Sequence, residues 1–148
     1  MIRPGLVSVT FRALKPAEIV ALCARAGLEG IEWGGDIHVP HGNLALAREA
    51  RNLTEEAGLQ VAAYGSCYRV GYSETEAAGE MGLAFESVLE TAVELGAPTI
   101  RVWAGVKGST KGEGLNSATA ADWQNVIDDS ARIAALAAAA GIVVAYEY

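Results

Sequence analysis

The sequence predicts an α/β fold in which parallel strands alternate with helices in the order (βα)4β. Two observations carry this. First, a glycine closes a helical pattern and precedes a strand-like run four times: Ala26-Gly27-Leu28, Ala57-Gly58-Leu59, Leu95-Gly96-Ala97 and Ala140-Gly141-Ile142. Glycine at that position adopts the left-handed conformation that ends a helix without a Cβ clash, and the apolar run after it suits a short connection into a buried strand. Second, apolar residues recur with a period near 3.6 between the glycines and with a period of 2 after them. Strand, helix and strand in succession imply parallel pairing through right-handed crossovers.

The first strand is expected over 5–11, LVSVTF following Gly5. The first helix, 16–26, opens on Pro16, whose missing N–H costs nothing in a first turn, and Ile19, Leu22 and Cys23 form its apolar face. A strand at 30–34 and a helix at 43–57 follow, then a strand at 59–65. The next helix is expected over 77–95, preceded by the capping-box pattern of Ser73 and Glu76, with Phe85, Val88, Leu89, Ala92 and Val93 on one face. A strand at 99–104 leads to a helix at 119–140, where Thr119 and Asp122 repeat the capping signal. The last strand, 142–148, ends in GIVVAYEY.

At 148 residues, with 51% hydrophobic and 20% charged residues, residues 1–148 suit one globular domain. A net charge of −7 favours no nucleic-acid partner. Cys23 and Cys67 match no zinc spacing and read as reduced thiols of a cytoplasmic protein. The N-terminal MIRPGLVSVTF lacks the pattern of a signal peptide. The longest apolar run, IAALAAAAGIVVAY, is too short to span a bilayer, so no membrane is expected.

Two architectures accept this order: an open doubly wound sheet of flavodoxin type, or part of a (β/α)8 barrel, which needs about 250 residues when complete. Strand alternation favours the barrel. Ser8 and Thr10 oppose Val7, Val9 and Phe11; Glu32 opposes Ile31 and Trp33; Arg101 and Trp103 oppose Ile100 and Val102; Val143, Ala145 and Glu147 oppose Ile142, Val144 and Tyr146. A face covered by helices would strand the charges at a cost of several kcal/mol each, whereas the inside of a barrel near its mouth tolerates them. Glu32 and Arg101, from strands two and four, are expected to form a buried ion pair.

GIEWGGDIHVPHG, VAAYGSCYRVG, GAPTIRVWAG and VVAYEY together resemble the sugar phosphate isomerase/epimerase group, the xylose isomerase-like TIM barrels. The resemblance covers the whole chain and about five of eight strands, which makes it an N-terminal portion of such a domain. It implies a divalent metal, Mn, Mg or Zn, at the C-terminal mouth, and its first ligand, a glutamate ending strand five, corresponds to Glu147. It further implies a small sugar or sugar phosphate as substrate, with proton transfer next to a carbonyl, in which Glu147 is both ligand and proton-transfer group. Since the other ligands of the family lie beyond residue 148, the chain alone is expected to bind metal weakly and to be inactive.

His38 and His41 fall on the loop after the second strand, which opens at that mouth, and by resemblance would line the sugar site or shape the loop. His41 is preferred, because Gly42 beside it lets backbone approach a ligand. Trp33, Tyr64, Tyr68 and Trp103 lie near strand ends, where rings stack on sugars and exclude water. Parity turns Trp33 outward into the core and Trp103 inward, as a substrate wall. The segment GVKGSTKGEG, 105–114, reads as a lid or a solvated loop and matches no phosphate-binding motif. The endonuclease relatives carry histidines after strands three and four, but those positions here are Tyr64-Gly65-Ser66 and Trp103-Ala104-Gly105. Two other functions compete: a non-catalytic half-barrel that forms a homodimer through its exposed strand edges, and a flavodoxin-like binder of a small ligand.

Overall fold

A computed structural model describes residues 3–104 and 118–147. The segment 105–114, read above as a lid or solvated loop, lies outside the described residues. Among the described residues, five parallel strands alternate with four α-helices: β1 (Gly5–Val7), α1 (Pro16–Arg25), β2 (Gly30–Gly34), α2 (Leu44–Glu56), β3 (Gln60–Arg69), α3 (Phe85–Leu95), β4 (Thr99–Trp103), α4 (Ala120–Ala139) and β5 (Val143–Glu147). Gly27, Gly58, Gly96 and Gly141 all have φ between 70 and 73°, so each of the four glycines ends its helix as the sequence predicts. The capping box at Thr119 also forms: Thr119 Oγ1 accepts from Asp122 N at 3.2 Å, and Asp122 Oδ2 accepts from Thr119 N at 2.8 Å.

The sheet order is β1-β2-β3-β4-β5, every pair parallel. Sequential order is that of a barrel wall; a flavodoxin-like sheet places its first strand inside the order, so that reading is overturned. Helices contact in sequence, α1 with α2, α2 with α3 and α3 with α4, forming one outer layer. Registered residues on parallel strands point to the same side, so Ile31, Trp33, Tyr64, Ile100 and Val102 form one face, and all five are fully buried. Ile19 and Cys23 of α1, Ala47 and Ala50 of α2, Val88 and Ala92 of α3, and Ile133 and Ala137 of α4 complete this core. The Trp33 indole N–H donates to Thr54 Oγ1 at 3.1 Å, which ties β2 to α2. The result is about half of a barrel, with helices outside and a polar face inside.

Several sequence expectations are corrected. The first strand stops at Val7, and Ser8–Phe11 form a 3-10 turn. The cause is Ser8, fully buried, whose Oγ accepts from Gly34 N at 2.9 Å and pulls the chain inward. The parity expected for β1 is also reversed: Val7 registers with Glu32 on the inner face, and Leu6 with Ile31 on the outer one. The third helix starts at Phe85, not at 77, because Gly79 at φ +52° interrupts the turn before it. Ser73 serves the end of β3 instead, accepting from Arg69 N at 2.7 Å, while Glu74 Oε1 accepts from Phe85 N at 2.7 Å and takes over the cap. Finally, Val93 is 51% exposed and leaves the predicted apolar face.

Candidate active site at the C-terminal ends of the strands

The inner face carries one connected polar group. Arg101 on β4 reaches Glu32 on β2 through Nε at 3.0 Å and Glu147 on β5 through Nη1 at 2.9 Å. The first contact is a hydrogen-bonded ion pair; the second is a charge pairing whose alignment falls short of a hydrogen bond. The Arg101 and Glu32 side chains are 17% and 21% exposed, whereas Glu147 is 47% exposed. The ion pair expected between Glu32 and Arg101 is therefore present, partly buried, and extended by a second carboxylate. The Arg101 guanidinium also lies over the Trp103 ring, 4.9 Å from its centroid.

Gly65 on β3 makes this arrangement possible. It registers with Arg101 and with Gly34, and a Cβ on it would stand 2.6 Å from both Arg101 Nη2 and Glu32 Oε1. The guanidinium crosses β3 through the space that the missing side chain leaves. In the sequence, the only signal for Gly65 is its parity on a strand next to those of both charged residues.

The remaining candidates group separately. His41 Nε2 accepts from Cys67 N at 3.2 Å, and its ring meets Tyr64 edge-on at 5.6 Å between centroids. Accepting through Nε2 places the proton on Nδ1. Burial pushes the His41 pKa below its ordinary value, with Asp36 acting the other way, so the ring is neutral at pH 7. Tyr64 is fully buried on the helix-facing side, its hydroxyl donating to the Val39 carbonyl at 2.8 Å; burial raises its pKa. Gly35 fits the loop against both rings, since a Cβ there would be 2.7 Å from His41 Nε2 and 2.8 Å from Tyr64 OH. His38 is 5% exposed, with Nδ1 3.0 Å from Ser8 Oγ and its ring edge-on to Trp33. Burial lowers its pKa too, opposed by the nearby Leu14 carbonyl. Thus Trp103 and Glu147 share the inner face, His41 and Tyr64 join the loop after β2 to β3, and His38 fastens that loop to the turn after β1.

A third cluster, unforeseen from sequence, holds the segment after β3. Tyr68, fully buried, donates to Asp129 Oδ2 on α4 at 2.8 Å, and Asp129 also accepts from Gly71 N at 2.7 Å. Arg132 Nη2 reaches Glu74 Oε1 at 2.7 Å and Tyr68 OH at 3.0 Å. This binds the loop to α4 outside the barrel wall, away from the Arg101 group.

As a metal donor, Glu147 offers a hard carboxylate oxygen, the type that Mg²⁺ and Mn²⁺ take. Oε2 faces Arg101 at 2.9 Å, and with the side chain 47% exposed the carboxylate is open to solvent. Among the described residues no three His, Cys, Asp or Glu side chains gather closely enough to hold a metal ion. A single carboxylate supplies one of the several oxygen donors that such an ion takes.

Comparisons with known proteins agree with this architecture. A family model described as xylose isomerase-like TIM barrel matches residues 20–148. No curated protein sequence matches the chain. Among solved structures, D-psicose 3-epimerase aligns at a TM-score of 0.74 with 19% identity, over 97% of this chain and 51% of that one. The 3-keto-D-glucoside 4-epimerase of E. coli aligns at 0.73 with 21% identity, over 99% of this chain and 56% of that one. A probable 3-DHS dehydratase of Bacillus anthracis, involved in petrobactin synthesis, aligns at 0.72 with 19% identity, over 98% and 52%. The chain spans about half the length of these structures, and at such identities the likeness is one of fold. With the sequential parallel sheet, the single outer layer of helices and a family match over most of its length, this chain belongs to the xylose isomerase-like TIM barrel family.

Proposed function

We propose that the chain is the N-terminal portion of a divalent-metal-dependent isomerase or epimerase acting in the cytoplasm on a small sugar or sugar phosphate. The observation that carries the reading is Glu147: a carboxylate at the end of β5, on the inner face, with one oxygen opposite Arg101 and one left over. Two of the structures that the chain resembles are named as sugar epimerases, which supports the substrate class. The two cysteines, both free, suit a reducing compartment, and no helix among the described residues is long and apolar enough to cross a membrane.

In this reading Glu147 contributes one ligand to the metal and moves a proton on the carbon next to the substrate carbonyl. A divalent ion, when bound, supplies Lewis-acid polarisation of the substrate oxygen. Trp103 forms a wall against the C–H face of the sugar, and His41, neutral with its proton on Nδ1, offers a donor to a sugar hydroxyl. His38 and Tyr64 support the loop that carries His41. The test is deuterium exchange in D2O at the carbon next to the carbonyl of ketohexoses, with Mn²⁺, by a barrel that includes this chain. Exchange should vanish in Glu147→Gln, and exchange that persists would overturn the assignment. For the 148-residue chain alone, calorimetry should show weak, non-saturating Mn²⁺ heats and no exchange; tight one-to-one binding would refute this.

A second reading, a non-catalytic half-barrel that self-associates, is favoured by the edges of the sheet. Among the described residues β1 and β5 each pair on one side only, and Val143 on β5 is 63% exposed. Sedimentation of the chain as a stable, monodisperse dimer would support it, and a well-behaved monomer would remove it.

A further inference from the structure

We propose that Arg101 is a positioning residue that fixes the orientation of the Glu147 carboxylate, with Glu32 as its anchor and Gly65 as the space that admits it. The inference rests on the reading of Glu147 as the acting carboxylate, and goes beyond it by naming what aims that group. A glutamate at a strand end with its side chain 47% exposed is only partly held by packing. Arg101 supplies the selection electrostatically. Its Nε edge is committed to Glu32 at 3.0 Å, its face rests on Trp103, and its plane passes where Gly65 has no Cβ. A guanidinium held on three sides presents Nη1 in one place, 2.9 Å from Glu147 Oε2, and so leaves Oε1 as the oxygen turned to a ligand.

Arginine is suited to this and lysine is not. The planar fork carries donors on separate edges and can serve two carboxylates at once, while an ammonium is a single point on a flexible stem. Two carboxylates and one guanidinium leave one negative charge on the trio. That charge, at the exposed end, suits an acting carboxylate at the mouth. Four successive strands thus each contribute one part: a carboxylate from β2, a gap from β3, the guanidinium from β4 and the aimed carboxylate from β5.

Nuclear magnetic resonance on the 148-residue chain tests this without catalysis. The wild-type chain should show two unequal Hα–Hβ couplings for Glu147, the mark of a single χ1 rotamer. In Arg101→Gln the two should collapse to one averaged value, while the Ala104 amide, which donates to the Glu147 carbonyl at 3.0 Å, keeps its protection from hydrogen exchange. A merely structural arginine would lose the Ala104 protection instead. Arg101→Lys keeps the charge and should still give averaged couplings; it also serves if Arg101→Gln does not fold. Averaged couplings in the wild type, loss of Ala104 protection, or unequal couplings that survive in either variant would overturn the proposal. Mn²⁺ alone at millimolar concentration tests the underlying reading separately. It should broaden the Ala104 amide in the wild type and not in Glu147→Gln. Equal broadening in both would remove Glu147 as a ligand and leave the rotamer result intact.

Discussion

Replacing Gly65 by alanine puts the packing of the inner face to a test of sign. Gly65 does not have a positive φ, so its backbone accepts any residue. On that ground alone alanine would stabilise the protein by about 0.4–1 kcal/mol, through the lower entropy of the unfolded chain. The structure predicts the opposite. The added methyl would sit 2.6 Å from Arg101 Nη2 and from Glu32 Oε1, and ordinary contact begins at 3.4 Å, so these atoms must retreat by about 0.8 Å. They are the ends of long side chains, but each is pinned by the other at 3.0 Å and Arg101 is pinned again by Glu147 and Trp103. Overpacking of this kind costs about 1–3 kcal/mol. The net expectation is a loss of about 1–2 kcal/mol, or a drop in Tm of roughly 3–10 °C for a domain of this size. Thermal unfolding followed by circular dichroism and calorimetry measures it. An unchanged or raised Tm would show that the guanidinium does not cross β3 through the glycine gap, and would undercut the Arg101 proposal as well.

Three further outcomes follow from the same geometry. Glu32→Gln removes the anchor of a partly buried pair and should cost about 1–3 kcal/mol in urea unfolding, between the values for exposed and buried pairs, with the effect much reduced once Arg101 is also replaced. His38 and His41 both titrate below their ordinary value in the folded chain, so the unfolded chain binds more protons as pH falls. Their contribution is full above about pH 6.5 and lost as pH drops through it, with a slope of at most about 1.4 kcal/mol per pH unit for each histidine. Urea midpoints between pH 7.5 and 5 should therefore fall with pH, and His41→Asn should flatten the curve; a flat wild-type curve would contradict the burial of both rings. Thr119→Ala breaks the capping box of α4 and should cost about 1 kcal/mol, read as a shift in urea midpoint.

Much of this protein was legible in its residues because local rules act over a few positions. Four helix-ending glycines, a period of 3.6 before each and a period of 2 after it are enough to order the elements. Parity along β2 and β4 was enough to place Glu32 and Arg101 on one face, and Trp33 on the other. Where the reading went astray, a distant partner had intervened. Ser8 looked like one more residue of an alternating strand, but the Gly34 amide 26 positions away turned the chain. Ser73 looked like a helix cap, but Glu74 folded back to cap Phe85 and Ser73 was left to close β3.

By itself, then, the sequence determined the class of fold, the order of its strands and the parity of β2, β4 and β5, since each depends on backbone preference and on apolar spacing along the chain. Only the tertiary structure decided that Arg101 reaches Glu147 as well as Glu32, that it does so through the gap at Gly65, and that His41 is fastened to the Cys67 amide. Those contacts join residues 26 to 69 positions apart and depend on the exact register of neighbouring strands. A shift of one residue in that register would have turned Glu32, Arg101 and Glu147 to the other face.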